Sequence, residues 1–269
     1  MSFVDEGETF SRIARITGPV TSDDTRRLVE EGHEGILLDH ESVDAASSLR
    51  WIAEVPALRF IELRGRIVTP SLAILEETSV RSLIVRTNHA RPVPTADLRW
   101  ATRIHSESSD FAADGWVGLP RLENLVLGRV GGEVITAGDG CSALAHLKLQ
   151  GKRQTAAFRW EDPPKKLDSM LLLTLRCRDV AALSGCRALR SLHIENPALL
   201  VGADVVDVSP LADLPVLDSV GIAENLPMAR VPSLLESEAP FGWLPVAKGH
   251  HDGDPADPRL REFVFRTTS

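Results

Sequence analysis

The phrase Leu-x-x-Leu-x-Leu, or a conservative variant of it, returns along most of the chain, and nothing else in the sequence restricts the fold as tightly. It reads as Leu58, Ile61, Leu63; Val80, Leu83, Val85; Leu122, Leu125, Leu127; Leu144, Leu147, Leu149; Leu189, Leu192, Ile194; and Leu217, Val220, Ile222. Alternate apolar positions predict a β-strand at each copy. Leu58 to Val80 and Leu122 to Leu144 are each 22 residues apart, whereas Val80 to Leu122 is 42, so a further strand with a degenerate copy is expected near residues 99–104. Another copy falls in 167–175, where the preferred register is Met170, Leu173, Leu175, because it aligns 176–180 with 64–68. Strand patterns around Ile36 and Leu38 and at Leu260, Phe263 and Phe265 bracket the array, which makes about nine units.

The links repeat as well. Ile52, Leu183 and Leu211 each stand six residues before the first Leu of a strand, a spacing that suits one short turn of helix, often 3₁₀, behind that strand. On these residues the chain resembles the leucine-rich repeat family, with its period of about 20–29 residues, over approximately residues 30 to 225. Short Pro-containing links such as Val208-Ser209-Pro210-Leu211-Ala212-Asp213-Leu214 look most like the internalin-like subclass. The Asn that usually closes the strand motif is mostly absent, and Arg66, Asn88, Arg178 and Pro197 stand near its place.

The resemblance implies an α/β fold: a leucine-rich repeat solenoid whose curved parallel β-sheet is backed by short helical, 3₁₀ or irregular convex segments. Each unit is too small to bury its own apolar face and must stack on its neighbours. We expect a capping segment over 1–32, the repeat array over 33–225, and a C-terminal loop and capping strand over 226–269. Thr21 to Gly32 reads as a short helix with a hydroxyl cap, an acidic first turn and a closing Gly. Residues 233–258, rich in Pro and Gly, read as a long loop leading into a strand at 259–265.

Composition narrows the function. The chain is 25% charged and 43% hydrophobic, which fits a folded globular protein. No stretch approaches a membrane span, and Met1 to Val20 has no apolar signal core, so neither span nor secretory leader is expected. Three cysteines, Cys141, Cys177 and Cys186, lack metal-site spacing and fit a reduced, cytoplasmic protein. The preponderance of Arg over Lys, with abundant Ala, points to a GC-rich bacterial genome. A net charge of −8 argues against a nucleic-acid partner, because such proteins need a broad basic footprint.

Residues between the leucines alternate to the opposite side of each strand. In the family that side is the solvent-facing concave sheet, so the resemblance makes it the candidate binding face. It comprises Phe60, Glu62 and Arg64; Ser82, Ile84 and Arg86; Asn124, Val126 and Gly128; His146, Lys148 and Gln150; Leu172, Thr174 and Arg176; and Ser191, His193 and Glu195. Arg64, Arg86 and Arg176 form a basic row with Phe60, Ile84 and Val126 beside it, and apolar anchors flanked by Arg suit an acidic protein partner. The competing reading makes these ordinary strand residues, with Arg paired to Glu62 or Glu195.

Chemistry is sparse. His250, His251, Asp252 and Asp254 form the densest group of candidate metal ligands, in a Gly-rich loop. No Gly-x-Ser-x-Gly elbow, P-loop or His-Glu-x-x-His occurs, so no catalytic residue and no cofactor is assigned. The expectation is a non-catalytic, cytoplasmic protein-binding module: an inhibitor or immunity-type protein, as the resemblance to target-wrapping repeat inhibitors implies, or a scaffold. A metal-dependent enzyme using the loop from His250 to Asp254 is the alternative.

Overall fold

A computed structural model describes residues 12–39, 49–65, 71–86, 93–107, 115–151, 155–177, 180–195, 205–222, 228–237, 244–247 and 251–263. The chain forms two compact units, Met1–Asp114 and Gly115–Ser269.

In the first unit, five parallel strands lie in chain order: β1 (Ile13–Ile16), β2 (Gly35–Leu38), β3 (Phe60–Arg64), β4 (Ser82–Arg86) and β5 (Arg103–Ser106). Helix α1 (Ser22–Glu30) connects the first two. Ile36, Ile61, Leu83 and Ile104 stand in one register row, and Leu38, Leu63, Val85 and Ser106 in the next. All eight are at most 1% exposed, so this is the core face, and each buried aliphatic side chain contributes about 1.5–3 kcal/mol. The degenerate copy is thus β5, with Ser106 where other strands carry Leu or Val. 3₁₀ turns at Leu49–Glu54, Ala73–Glu77 and Thr95–Leu98 bury Ile52, Leu75 and Leu98 behind the strands. Trp100 follows the last of them into the core and donates its indole N–H to the Asp97 carbonyl at 2.7 Å.

The helix is α1 because of its first turn. Thr21 accepts from the Asp24 backbone N–H at 3.2 Å, and the Asp24 carboxylate accepts from the Thr21 backbone N–H at 2.9 Å, a reciprocal capping box. Past its C-cap, Glu31, the chain leaves the helix through Gly32, with φ 64, where a residue with a Cβ would be strained.

In the second unit the main sheet runs β6 (Asn124–Leu127), β8 (His146–Gln150), β10 (Ser169–Leu173), β12 (Ser191–Glu195) and β14 (Ser219–Ile222), all parallel. Short second strands follow the main ones. β7 (Val134–Ile135), β9 (Thr155–Phe158) and β11 (Arg176–Cys177) form one small parallel sheet, and β13 (Val206–Asp207) pairs with β15 (Met228–Ala229). The unit closes with α2 (Val231–Leu235) and the parallel pair β16 (Leu244–Ala247) and β17 (Leu260–Phe263). 3₁₀ turns at Ala181–Gly185 and Ser209–Asp213 bury Leu183 and Leu211. Cys141 and Cys186 are fully buried at equivalent points of their links.

The register at 167–175 differs from the expected one. Leu167, Met170 and Leu172 are the core residues of this copy, and Met170 and Leu172 stand opposite Leu147 and Leu149. Leu173 faces the other way. Leu175 is buried, but only after the chain has turned a corner at Thr174, whose φ is 53.

Main-chain bonds fix the stacking independently of side chains. The carbonyl just before a strand accepts two N–H groups from the next turn: Arg59 O from Arg81 N at 2.9 Å and Ser82 N at 3.0 Å, and Asp168 O from Arg190 N at 2.8 Å and Ser191 N at 3.0 Å. The same pair of bonds ends at Glu34 and Arg81 in the first unit and at Glu123, Ala145 and Arg190 in the second. Arg66, Asn88, Arg178 and Pro197, near the family's Asn position, lie outside the described residues. Among the described residues, no helix is long and apolar enough to cross a membrane.

Candidate partner-binding faces

Strand alternation puts Phe60, Glu62 and Arg64 of β3 on the face opposite the leucines, next to Ser82, Ile84 and Arg86 of β4. This face is less open than expected. Phe60 is 6% exposed and Glu62 5%, so neither is a solvent-facing anchor, whereas Ile84 is half-buried. Phe60 is covered because Gly35 stands in register with it on β2: a Cβ there would lie 2.8 Å from Phe60 Cδ1. The ring fills the space that glycine leaves.

Glu62 is the centre of a charge cluster. Arg64 Nε donates to Glu62 Oε1 at 2.6 Å, Arg86 Nε lies 3.1 Å from the same oxygen, and Arg86 Nη1 lies 3.3 Å from Glu107 Oε1. A buried carboxylate is costly without compensation, and two guanidinium groups converging on one oxygen supply it. The basic row of this unit is therefore held by acidic partners within the chain, in keeping with the pairing to Glu62 that alternation allows.

The second unit's face is more open. His146 is exposed, while Asn124, Val126, Lys148 and His193 are half-buried. His146 Nδ1 lies 2.8 Å from Ser169 Oγ on the next strand, and His193 Nε2 lies 3.4 Å from Ser219 Oγ. Gly221, in register with His193, makes room for the imidazole, since a Cβ would lie 2.4 Å from Nδ1. The true register of β10 puts Ser169, Leu171 and Leu173 on this face and removes Leu172, Thr174 and Arg176. Arg176 belongs to β11, paired with β9 in the small sheet. Glu195 closes β12, opposite Leu173.

The C-terminal loop carboxylates serve the backbone. Asp252 accepts from the Arg230 and Val231 N–H groups at 2.6 and 2.9 Å, where α2 begins and Arg230 takes a left-handed φ of 60. Asp254 accepts from Ala256 N at 2.9 Å, and His251 bridges to Met228. His250 lies outside the described residues. Among the described residues, no three or more His, Cys, Asp or Glu side chains gather as metal ligands.

Several ionisable groups away from the faces are tuned. Burial pushes the Cys186 thiol up to about 12 and raises Cys141 as well, so neither is poised as a thiolate nucleophile. Hydrogen bonds from Thr21 hold Asp24 below the ordinary carboxylate range, and hydrogen bonds from Arg27 and then His33 do the same for Glu31. Asp207 is lowered by Ser209 and Asp257 by Arg259.

What these faces offer is side-chain shape and charge on a main-chain scaffold. No protein-family model matches the chain, and no curated protein matches it either.

Proposed function

We propose that this chain is a leucine-rich repeat solenoid of the short, internalin-like kind, with about nine units, acting in the cytoplasm as a non-catalytic module that holds a partner protein. Its role is that of an inhibitor or immunity-type protein or of a scaffold, and its partner presents an acidic contact surface. The observation that carries this reading is the division of labour across each strand. The leucine side and the carbonyl ladder hold the fold, and the opposite side bears polar and charged groups that keep exposure: Arg64 and Arg86, beyond their pairing with Glu62, in one unit, and His146 and His193 in the other. Exposed groups of that kind suit a recognition surface, with Arg supplying the contact. The Asp252 and Asp254 contacts with backbone N–H groups give the metal-enzyme alternative no support.

The test is affinity capture from the source organism's lysate with the native protein beside Arg64→Glu/Arg86→Glu. Native protein is expected to retain a partner that the variant loses, with capture falling as salt rises, because rim charges act mainly on association. The variant sets two more carboxylates beside buried Glu62 and is expected to melt lower, so capture is compared at a temperature where both proteins are folded. Equal capture by both proteins would remove the first unit's face from the reading.

A further inference from the structure

Arg64 and Arg86 are register partners on adjacent parallel strands, about 4.8 Å apart along the sheet. Their side chains remain 37% and 31% exposed, while the Glu62 carboxylate between them is 7% exposed. Glu62 Oε1 accepts a hydrogen bond from Arg64 Nε, while Arg86 Nε lies 3.1 Å from the same oxygen as an ion pair without hydrogen-bond geometry. Glu107 reaches only Nη1 of Arg86, at 3.3 Å, and is itself 45% exposed. Among the described residues, the Nη groups of Arg64 have no partner. Arg64, held at Nε, leaves its end-on Nη1–Nη2 edge, a planar fork that matches a carboxylate, for a further ligand.

We propose that Glu62 is a positioning residue that aligns Arg64 and Arg86 into one oxyanion-binding fork on the face of β3 and β4 opposite the leucines, and that the fork's ligand is the carboxylate of an Asp or Glu side chain of the partner protein. This deepens the binding reading above and rests on it for the source of the carboxylate. Charge selects the ligand. Two arginines against Glu62 and Glu107 leave a cluster with no net charge, which a singly charged carboxylate meets at lower electrostatic cost than a dianionic phosphate. The buried carboxylate therefore serves as an anchor that reduces the fork's net charge and fixes its geometry.

That division makes an unusual prediction. Glu62→Gln adds one unit of positive charge to the site. If Arg64 and Arg86 are only a diffuse basic patch, the substitution strengthens anion binding; if Glu62 positions them, it weakens binding. The experiment titrates full-length protein carrying ¹⁵N-arginine with sodium acetate against chloride at constant ionic strength and pH. Arg64 and Arg86 Nε–H signals are assigned from Arg→Lys variants, and exposed Arg99 serves as the internal control. Saturable shifts are expected at Arg64 and Arg86 and not at Arg99. Glu62→Gln is expected to bind acetate about tenfold more weakly, the worth of one charged hydrogen bond. Arg64→Lys keeps the charge without the fork and should lose as much, so the proposal stays testable if Glu62→Gln fails to fold. Absence of saturation in the native protein, or undiminished affinity in either folded variant, would overturn the fork. Tighter binding of inorganic phosphate than of acetate would overturn the carboxylate assignment. Because the probe is a free anion, failure here leaves the capture experiment untouched, and a failed capture leaves the fork standing.

Discussion

Gly35 and Gly221 do the same thing in different units: each lies in register beneath a ring on the neighbouring strand. The rings differ in freedom, and that separates the two glycines energetically. A Cβ at residue 35 would meet Phe60 Cδ1 at 2.8 Å and Ile13 Cγ1 at 3.2 Å, and Phe60 is 6% exposed with little room to turn. Gly35→Ala is expected to cost about 1–3 kcal/mol, the usual range for overpacking. At residue 221 the neighbour is the half-buried imidazole of His193, which can swing outward. Gly221→Ala should therefore change stability by under about 0.5 kcal/mol. His193 should nevertheless leave Ser219, with a shifted imidazole resonance. Urea denaturation of both variants decides the matter, and equal losses would show that ring freedom is not what distinguishes them. Only part of this was legible in the chain. The leucine side was, because Leu and Ile recur at fixed intervals; the burial of Phe60 was not, because it depends on a glycine 25 residues earlier being in register with it.

At the scale of elements, α1 was readable since Thr21, Asp24 and Gly32 are local signals. Its cap also gives it a pH dependence. Asp24 and Glu31 have folded pKa values below their ordinary 3.8 and 4.5, so the stabilisation they provide is present above those values. It is lost as pH falls through the lowered folded values, because the unfolded chain binds protons first. Amide protection in α1, taken relative to the intrinsic exchange rate at each pH, should fall below about pH 4.5 before that of β3 and β4. Thr21→Val should return the Asp24 titration toward its ordinary value, and an Asp24 that already titrates there in the native protein would remove the capping argument. Other elements left weaker traces. β1 has only Ile13 and Ile16 at its ends, β7, β11, β13 and β15 are two residues each, and Pro245 argues against a strand where β16 lies. The register of β10 was ambiguous because Met170, Leu171, Leu172 and Leu173 are all apolar, and alternation within them carries no phase. Ser169 was the available cue, a polar residue on the side away from the core.

At the scale of the whole molecule, recurrence at about 22 residues foretold parallel strands stacked in chain order, and within each unit that is how they lie. Chemistry was far less legible, because a face that the fold leaves free has no pattern of its own to read. Arg64 and Arg86 could be picked out by position; the convergence of both on Glu62 required their side-chain geometry.

The paired N–H bonds to a single carbonyl have a mechanical consequence. Within a unit they join each turn only to the next, so tension on the chain should strip turns from an end in sequence instead of rupturing the unit at once. Each step frees about one period, roughly 70–80 Å of extended chain. Single-molecule pulling should accordingly give a staircase of small, nearly equal lengthenings, and one large event per unit would show that the turns fail together. Such a protein would act as a molecular shock absorber, giving way a turn at a time while the rest keeps its grip.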